Sequence, residues 1–331
     1  MASESSRAPR QPKVLMFDIG GVCVNSPFQA ILDYEVSLGI PPGWVNYSLS
    51  RTAPNGWWHR LERGEVPMDE SFFRGFNEDL HHEGRWREFY AREQQKSKGE
   101  DRARLQRQEK GEAEKREDEA SDNRDLHARP ESDTPPPLPK MDGEWLFNEM
   151  MAYSAAPDPW MYPALKALKA SGRYILAALS NTVIFPPGHR LHKPDFLGDP
   201  VRGIFDVFIS SAHVGLRKPD ARIYQLALDR VDRFAREQRG AGGRSSAITD
   251  DGDGMDDGVE GQGVEPEDVV FLDDIGENLK HARKQGFRTI KVHLGRAYEA
   301  VDQLESLTGL ALAGAHPRVP PQLPVNPKSK M

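Results

Sequence analysis

The chain has 331 residues, 37% of them hydrophobic and 29% charged, a balance that points to one large or two smaller folded units diluted by solvated inserts. A formal net charge of −7 provides no basic field to draw the protein onto nucleic acid or an anionic membrane, so neither partner is expected. The single cysteine, Cys23, excludes an intrachain disulfide and a multi-cysteine zinc site, and it reads as a small buried hydrophobe rather than a nucleophile.

In chain order, the opening "MASESSRAPRQPK" carries no apolar signal segment, and no apolar run approaches the roughly 18 residues of a membrane helix. A soluble, non-secreted protein is expected. "PKVLMFDI" reads as a first buried strand that closes on a carboxylate, Asp18, followed by paired glycines. "APNGWWHRLERGEVPMDESFFRGFNEDL" is helical in pattern, and of Trp57 and Trp58 at most one is expected to face a pocket, because adjacent residues on a helix point in different directions. Residues 91–140 contain no aromatic residue and mix both charges at high density before a proline run, so they read as a disordered, solvated insert.

"SGRYILAALS" is a second strand ending at Ser180, Asn181 and Thr182, and "IFDVFISS" is a third, followed by "GLRKPDARIY" with Lys218. Residues 239–265 form an acidic, glycine-rich stretch. It fails as a calcium loop because, counted from Asp251, the fifth, sixth and twelfth positions are Met255, Asp256 and Gln262. "EDVVFLDD" is a fourth strand ending in Asp273 and Asp274, and "FRTIKV" is a fifth. Helical patterns precede the second strand and follow the third, fourth and fifth. Alternating strand and helix of this kind predicts an α/β fold with a doubly wound parallel sheet, whose ligand sits outside the carboxyl ends of the strands.

That rule gathers Asp18, Ser180, Asn181, Lys218, Asp273 and Asp274 onto one rim. A carboxylate there can act as a nucleophile, a lysine and a hydroxyl can hold an anion, and neighbouring acids call for a hard cation such as Mg²⁺. Those parts fit phosphoryl transfer, where positioning and charge neutralisation supply most of the catalysis.

The strings "FDIGGV", "LSNT", "GLRKPDARIY" and "FLDDIGENLKHARKQGF", in this order, resemble the four motifs of the haloacid dehalogenase (HAD) superfamily, and within it the N-terminal phosphatase domain of soluble epoxide hydrolases. The resemblance implies a HAD-like Rossmannoid core over residues 12–27 and 160–312, with a helical cap inserted after the first strand over 28–159. The charged insert at 91–140 would lie within the cap, the loop at 239–265 within the core, and 313–331 would be a disordered tail. It implies that Asp18 is the nucleophile and a metal ligand, with the Gly20 carbonyl and Asp274 as further ligands of Mg²⁺. Ser180, Asn181 and Lys218 would bind the phosphoryl group, Asp273 would orient Lys218 or metal-bound water, and Asn278 would stand behind them. The implied substrate is a small phosphorylated molecule.

One position departs from the pattern. HAD phosphatases carry a second aspartate two residues after the nucleophile as general acid and base, and this chain has Gly20 there. Losing a positioned acid/base typically costs about 10²- to 10⁴-fold in rate, which favours a slow enzyme, a good leaving group, or a substitute from the cap. His59 is a substitute by residue type alone, and a structural histidine is the plainer reading. The missing aspartate also admits a metal-independent dehalogenase, and a weakly catalytic binding or scaffold protein is a further alternative. After residue 312 too little chain follows for an epoxide hydrolase domain. The ending Ser329-Lys330-Met331 is similar to the peroxisomal address S-K-L, so delivery by a peroxisomal import receptor or residence in the cytoplasm is expected.

Overall fold

The computed structural model describes residues 10–113, 135–192, 198–242 and 263–319. Five strands, β1 (Val14–Phe17), β2 (Ile175–Ser180), β3 (Val207–Ser210), β4 (Val269–Asp273) and β5 (Arg288–Lys291), form one sheet in the order β3-β2-β1-β4-β5. Every pairing is parallel, and β1 lies at the centre with Phe17 opposite Ala178 on one side and Leu272 on the other. This is the doubly wound α/β sheet expected of a HAD-like Rossmannoid core.

The apolar runs of the strands are explained by burial on both faces. Leu15, Phe17, Leu176, Ala178, Val270 and Leu272 turn to one side. There they pack on α7 (Met161–Ser171) and α11 (Ala297–Thr308). Val14, Met16, Ala177, Leu179, Val269 and Phe271 turn to the other side. Their partners are α9 (Ala221–Gly242) and α10 (Gly276–Lys284), while the single turn α8 (Ser211–Val214) follows β3 directly.

A third cluster belongs to the helices between β1 and β2: α1 (Pro27–Ser37), α2 (Trp44–Arg51), α3 (Trp57–Glu62), α4 (Glu70–Leu80), α5 (Glu83–Ala113) and α6 (Gly143–Tyr153). Trp44, Phe72, Phe76, Leu146 and Phe147 form its centre and are fully buried. Local signals set the helix starts. Ser26 caps α1 ahead of Pro27, Asp69 caps α4 by accepting from the Ser71 and Phe72 amides, and Asp142 caps α6 through the Trp145 amide. The Glu35 carboxylate is buried beneath the α1–α2 turn, where it accepts from the amides of Gly43 and Val45 at 2.7 Å each.

Two stretches differ from the expectation of disorder. The helix α5 continues through Ala113, well into 91–140. It is anchored by Trp86 and Phe89 in the cap core and supported by Glu83–Arg87 and Glu93–Lys96 pairs one helical turn apart. Likewise α9 runs on to Gly242, and at the far end of 239–265 the Val264 amide donates to Asp232 at 2.8 Å. Residues 114–134, 243–262 and the Ser329–Met331 ending lie outside the described residues. Among the described residues no helix is long and apolar enough to cross a membrane.

The cap meets the core where α3 abuts α8. The Ser211 hydroxyl donates to the Glu62 carbonyl at 2.6 Å, and Gly64, at φ +66°, lies so close to the Ala212 carbonyl that a Cβ would overlap it. Gly172 has a similar φ of +62° with nothing nearby. Gly64→Ala should therefore lower stability by about 1–3 kcal/mol more than Gly172→Ala, which incurs the left-handed strain alone. Urea denaturation of the two variants tests the contact, and equal losses would refute it.

Candidate active site

Asp18 is the first residue beyond β1, and its amide donates to the Leu272 carbonyl at 2.8 Å, so the central strand fixes its backbone. Its Oδ1 accepts from the Ile19 amide at 2.7 Å and lies 3.0 Å from Nζ of Lys218. The same ammonium donates to Oδ2 of Asp273 at 2.7 Å. Lys218 is 1% exposed. Burial works against its charge, but Asp18 and Asp273 outweigh that and hold its pKa above the usual lysine value.

The lysine is clipped in place from β2. The Asn181 side chain accepts from the Lys218 amide at 2.8 Å and donates to the Lys218 carbonyl at 3.1 Å. Asp273 is saturated: besides Lys218 it accepts from the Ile275 amide at 2.7 Å and from the Asn278 amide group at 3.1 Å on each oxygen. Asn278 is braced by the Tyr224 hydroxyl, which donates to its carbonyl at 2.9 Å. The structure thus brings Asp18, Ser180, Asn181, Lys218, Asp273, Asp274 and Asn278 together at the carboxyl ends of β1, β2 and β4.

Oxygens of Asp18, Asp273 and Asp274 lie within 4.8 Å of one another. Burial, with Lys218 pulling the other way and Asp273 adding to it, pushes Asp18 up to about 6. Burial, then Asp18 and Asp273, push Asp274 up to about 8. In the metal-free site the charged forms of Asp18 and Asp274 are thus disfavoured, and a cation beside them would reverse that. With the Asp273 oxygens spent on Lys218, Ile275 and Asn278, and no other residue's side chain bonded to Asp274 among the described residues, the oxygen donors of these two fit a hard divalent cation. Gly20 lines the same cavity.

Cys23 is buried, its thiol donates to the Asp18 carbonyl at 3.1 Å, and burial pushes its pKa far up, so it packs as an unreactive thiol.

The rim opens into a cavity of about 680 Å³ lined by both core and cap residues. Its floor includes Asp18, Gly20, Ser180, Asn181, Thr182 and Asp274, and its roof includes Phe28, Ile31, Leu49, Trp58 and Met150. Trp58 faces this space, whereas Trp57 packs over Gly75, where no Cβ would fit. Further polar groups also line it, among them His59, which the sequence offered by residue type alone, and Glu62 and Arg217, which it did not single out. Arg217 binds the Glu62 carboxylate through Nε at 2.7 Å and Nη2 at 2.6 Å, joining core to cap. His59 is 6% exposed, and burial, then Arg217 and Arg63, push its pKa down to about 4. Adjacency of Arg217 to Lys218 was the one available clue, and nothing in the sequence pairs it with Glu62.

No family model matches the chain. Among curated relatives, it is 26% identical over 316 residues, 96% of its own length and 21% of the relative, to mouse acyl-CoA dehydrogenase family member 10. It is 31% identical to pig bifunctional epoxide hydrolase 2 over 163 residues, 48% of this chain and 23% of that one. The chain thus spans about a fifth to a quarter of the length of the curated relatives it matches. Among solved structures, a HAD-family enzyme of Bacteroides thetaiotaomicron in complex with magnesium and inorganic phosphate aligns over 88% of this chain and 98% of its own. Its TM-score is 0.41 and its identity 16%. A dehalogenase with an intermediate complex aligns over 86% and 85%, with TM-score 0.42 and 17% identity. The parallel sheet, the four motifs at its strand ends and these sequence relatives agree: the chain has a HAD-like fold and resembles the bifunctional epoxide hydrolases in the region that carries their HAD-type domain.

Proposed function

We propose that the chain is a Mg²⁺-dependent phosphatase that transfers the phosphoryl group of a small organic phosphate to Asp18 and then to water. The observation that supports this most is the charge count at the rim: three clustered carboxylates share one lysine, and Asp273 alone is fully satisfied. A bound Mg²⁺, held by Asp18, Asp274 and the Gly20 carbonyl, would neutralise the remaining charge and that of the phosphoryl oxygens.

Asp18 presents a carboxylate oxygen to phosphorus, and the bond to the leaving oxygen breaks as the new one forms. Lys218 lowers the repulsion between that carboxylate and the anionic phosphoryl group, while Ser180 and Asn181 flank it from the end of β2. The apolar roof excludes water and suits an apolar organic body on the leaving group. With Gly20 in place of an acid, the leaving group departs unaided, so an acyl or aryl phosphate is favoured over an alkyl phosphate. A dehalogenase acting at carbon would have no use for the unsatisfied Asp274, and a scaffold would have none for a buried lysine bridging two carboxylates.

Three outcomes test this reading. Purified protein should hydrolyse acetyl phosphate faster than p-nitrophenyl phosphate, with turnover lost in EDTA and reduced at least about 10³-fold in Asp18→Asn. Turnover that persists in either case would refute the route. Asp274→Asn should raise the melting temperature of the metal-free protein at neutral pH by removing a carboxyl whose ionisation burial, then Asp18 and Asp273, oppose, yet abolish the stabilisation that millimolar Mg²⁺ gives the parent chain; thermal melts with and without Mg²⁺ read both effects. A Cβ on Gly20 would meet only Cδ of Pro27, at an ordinary 3.7 Å, so Gly20→Asp should be tolerated. It should raise turnover of an alkyl phosphate by about 10- to 100-fold while changing that of acetyl phosphate little; an equal change for both substrates would argue against a missing acid.

A further inference from the structure

An aspartyl-phosphate must be hydrolysed, and with Gly20 two residues after Asp18 the acid/base aspartate of the HAD pattern is missing from the end of β1. We propose that His59, carried by the cap, is the general base for that second half-reaction. The inference rests on the proposed phosphoryl route.

The placement of α3 is what brings His59 to the site. The helix is tied to the core at its far end by the Ser211 hydroxyl on the Glu62 carbonyl, at 2.6 Å, and by the two Arg217 bonds to the Glu62 carboxylate. Arg217 immediately precedes Lys218, whose ammonium is 3.0 Å from Asp18. His59 lies three residues before Glu62 and so on the same face of the helix. Both side chains line the cavity that also contains Asp18 and Asp274.

The imidazole is also chemically available. Among the described residues neither ring nitrogen makes a hydrogen bond, and Nδ1 is sealed from solvent, although buried polar groups are almost always paired. Nδ1 faces the start of α3, where a Cβ on Gly56 would come within 3.2 Å of it. The opposite edge of the ring, with Nε2, is therefore the one left to serve the cavity. Burial and the two nearby arginines keep the ring neutral in the free protein, the form that accepts a proton. A phosphoryl dianion in the cavity would favour the imidazolium just when it has to form.

In the step itself, Nε2 of His59 takes a proton from a water molecule as the water oxygen bonds to phosphorus. The bond between phosphorus and the Asp18 oxygen breaks, its electron pair returns to Asp18 as carboxylate, and hydrogen phosphate leaves. The imidazolium then releases its proton to solvent.

The test is a quenched-flow experiment with p-nitrophenyl phosphate on the parent chain, His59→Ala and His59→Gln, following p-nitrophenol and acid-stable phosphate on the protein. Both variants should release about one equivalent of p-nitrophenol in a burst and accumulate phosphorylated protein. Their steady turnover should fall by about 10²-fold or more, and added imidazole should restore part of it in His59→Ala. Turnover like that of the parent, or a loss with neither phosphoprotein nor rescue, would overturn the assignment while leaving the phosphatase reading intact. Failure of the parent itself to turn over or become phosphorylated would overturn both.

Discussion

The buried ammonium of Lys218, held between Asp18 and Asp273, is the constraint on which the site depends. A fully desolvated charge costs several kcal/mol unless it is paired, and Lys218 is 1% exposed. Both carboxylates must therefore be present and accurately placed. The sheet achieves this through register, since Phe17 of β1 stands opposite both Ala178 and Leu272, so three adjacent strands end at nearly the same height. Asp18, Asn181 and Asp273 each extend one of those ends, and the Asn181 side chain fastens the loop that delivers the lysine. Packing on the two faces of the sheet thus sets the electrostatics of its edge.

One lysine cannot cancel three carboxylates, and the cap does not make up the difference. Its nearest polar group to the core, Glu62, is matched by Arg217, which leaves the balance at the rim unchanged. Much of the remaining roof is apolar, with Phe28, Ile31, Leu49, Trp58 and Met150 in it. Low polarity beside an acidic floor strengthens every charge interaction there, so the same enclosure that makes the acidic cluster costly in isolation raises what a cation would gain beside it.

The core half of this arrangement is legible in the sequence because each residue at the rim terminates an apolar run. "VLMFD", "ILAALSN" and "VVFLDD" announce both a buried strand and the polar group at its end, and Lys218 follows from the loop after β3. Asn278 sits one helical turn beyond Asp274, within reach of Asp273. The cap half is not legible in the same way. Glu62 and Arg217 are 155 residues apart, and no local pattern signals that they meet. How α3 lies against α8 depends on the close approach of Gly64 to the Ala212 carbonyl, from distant parts of the chain. The length of α5 was hidden for another reason: beyond Tyr90 its sequence carries mixed charges and no apolar stripe, so its periodicity resembles that of a solvated insert.

The adjacent glycines after Asp18 show which features of the site are compelled by packing and which are chemical. Gly21 has φ +74°, and a Cβ there would overlap the Asp274 carboxylate, so any larger residue would displace that side chain. Gly20 has no such restriction, because a Cβ would meet only the ring of Pro27 at van der Waals distance. The lack of an acid at position 20 is therefore not forced by the fold. A site that has room for an acid/base on its core side and does without one must either act on groups that leave unaided or take the proton transfer to the opposite wall of the cavity. That wall is the cap, and among the described residues no hydrogen bond engages the ring nitrogens of its His59.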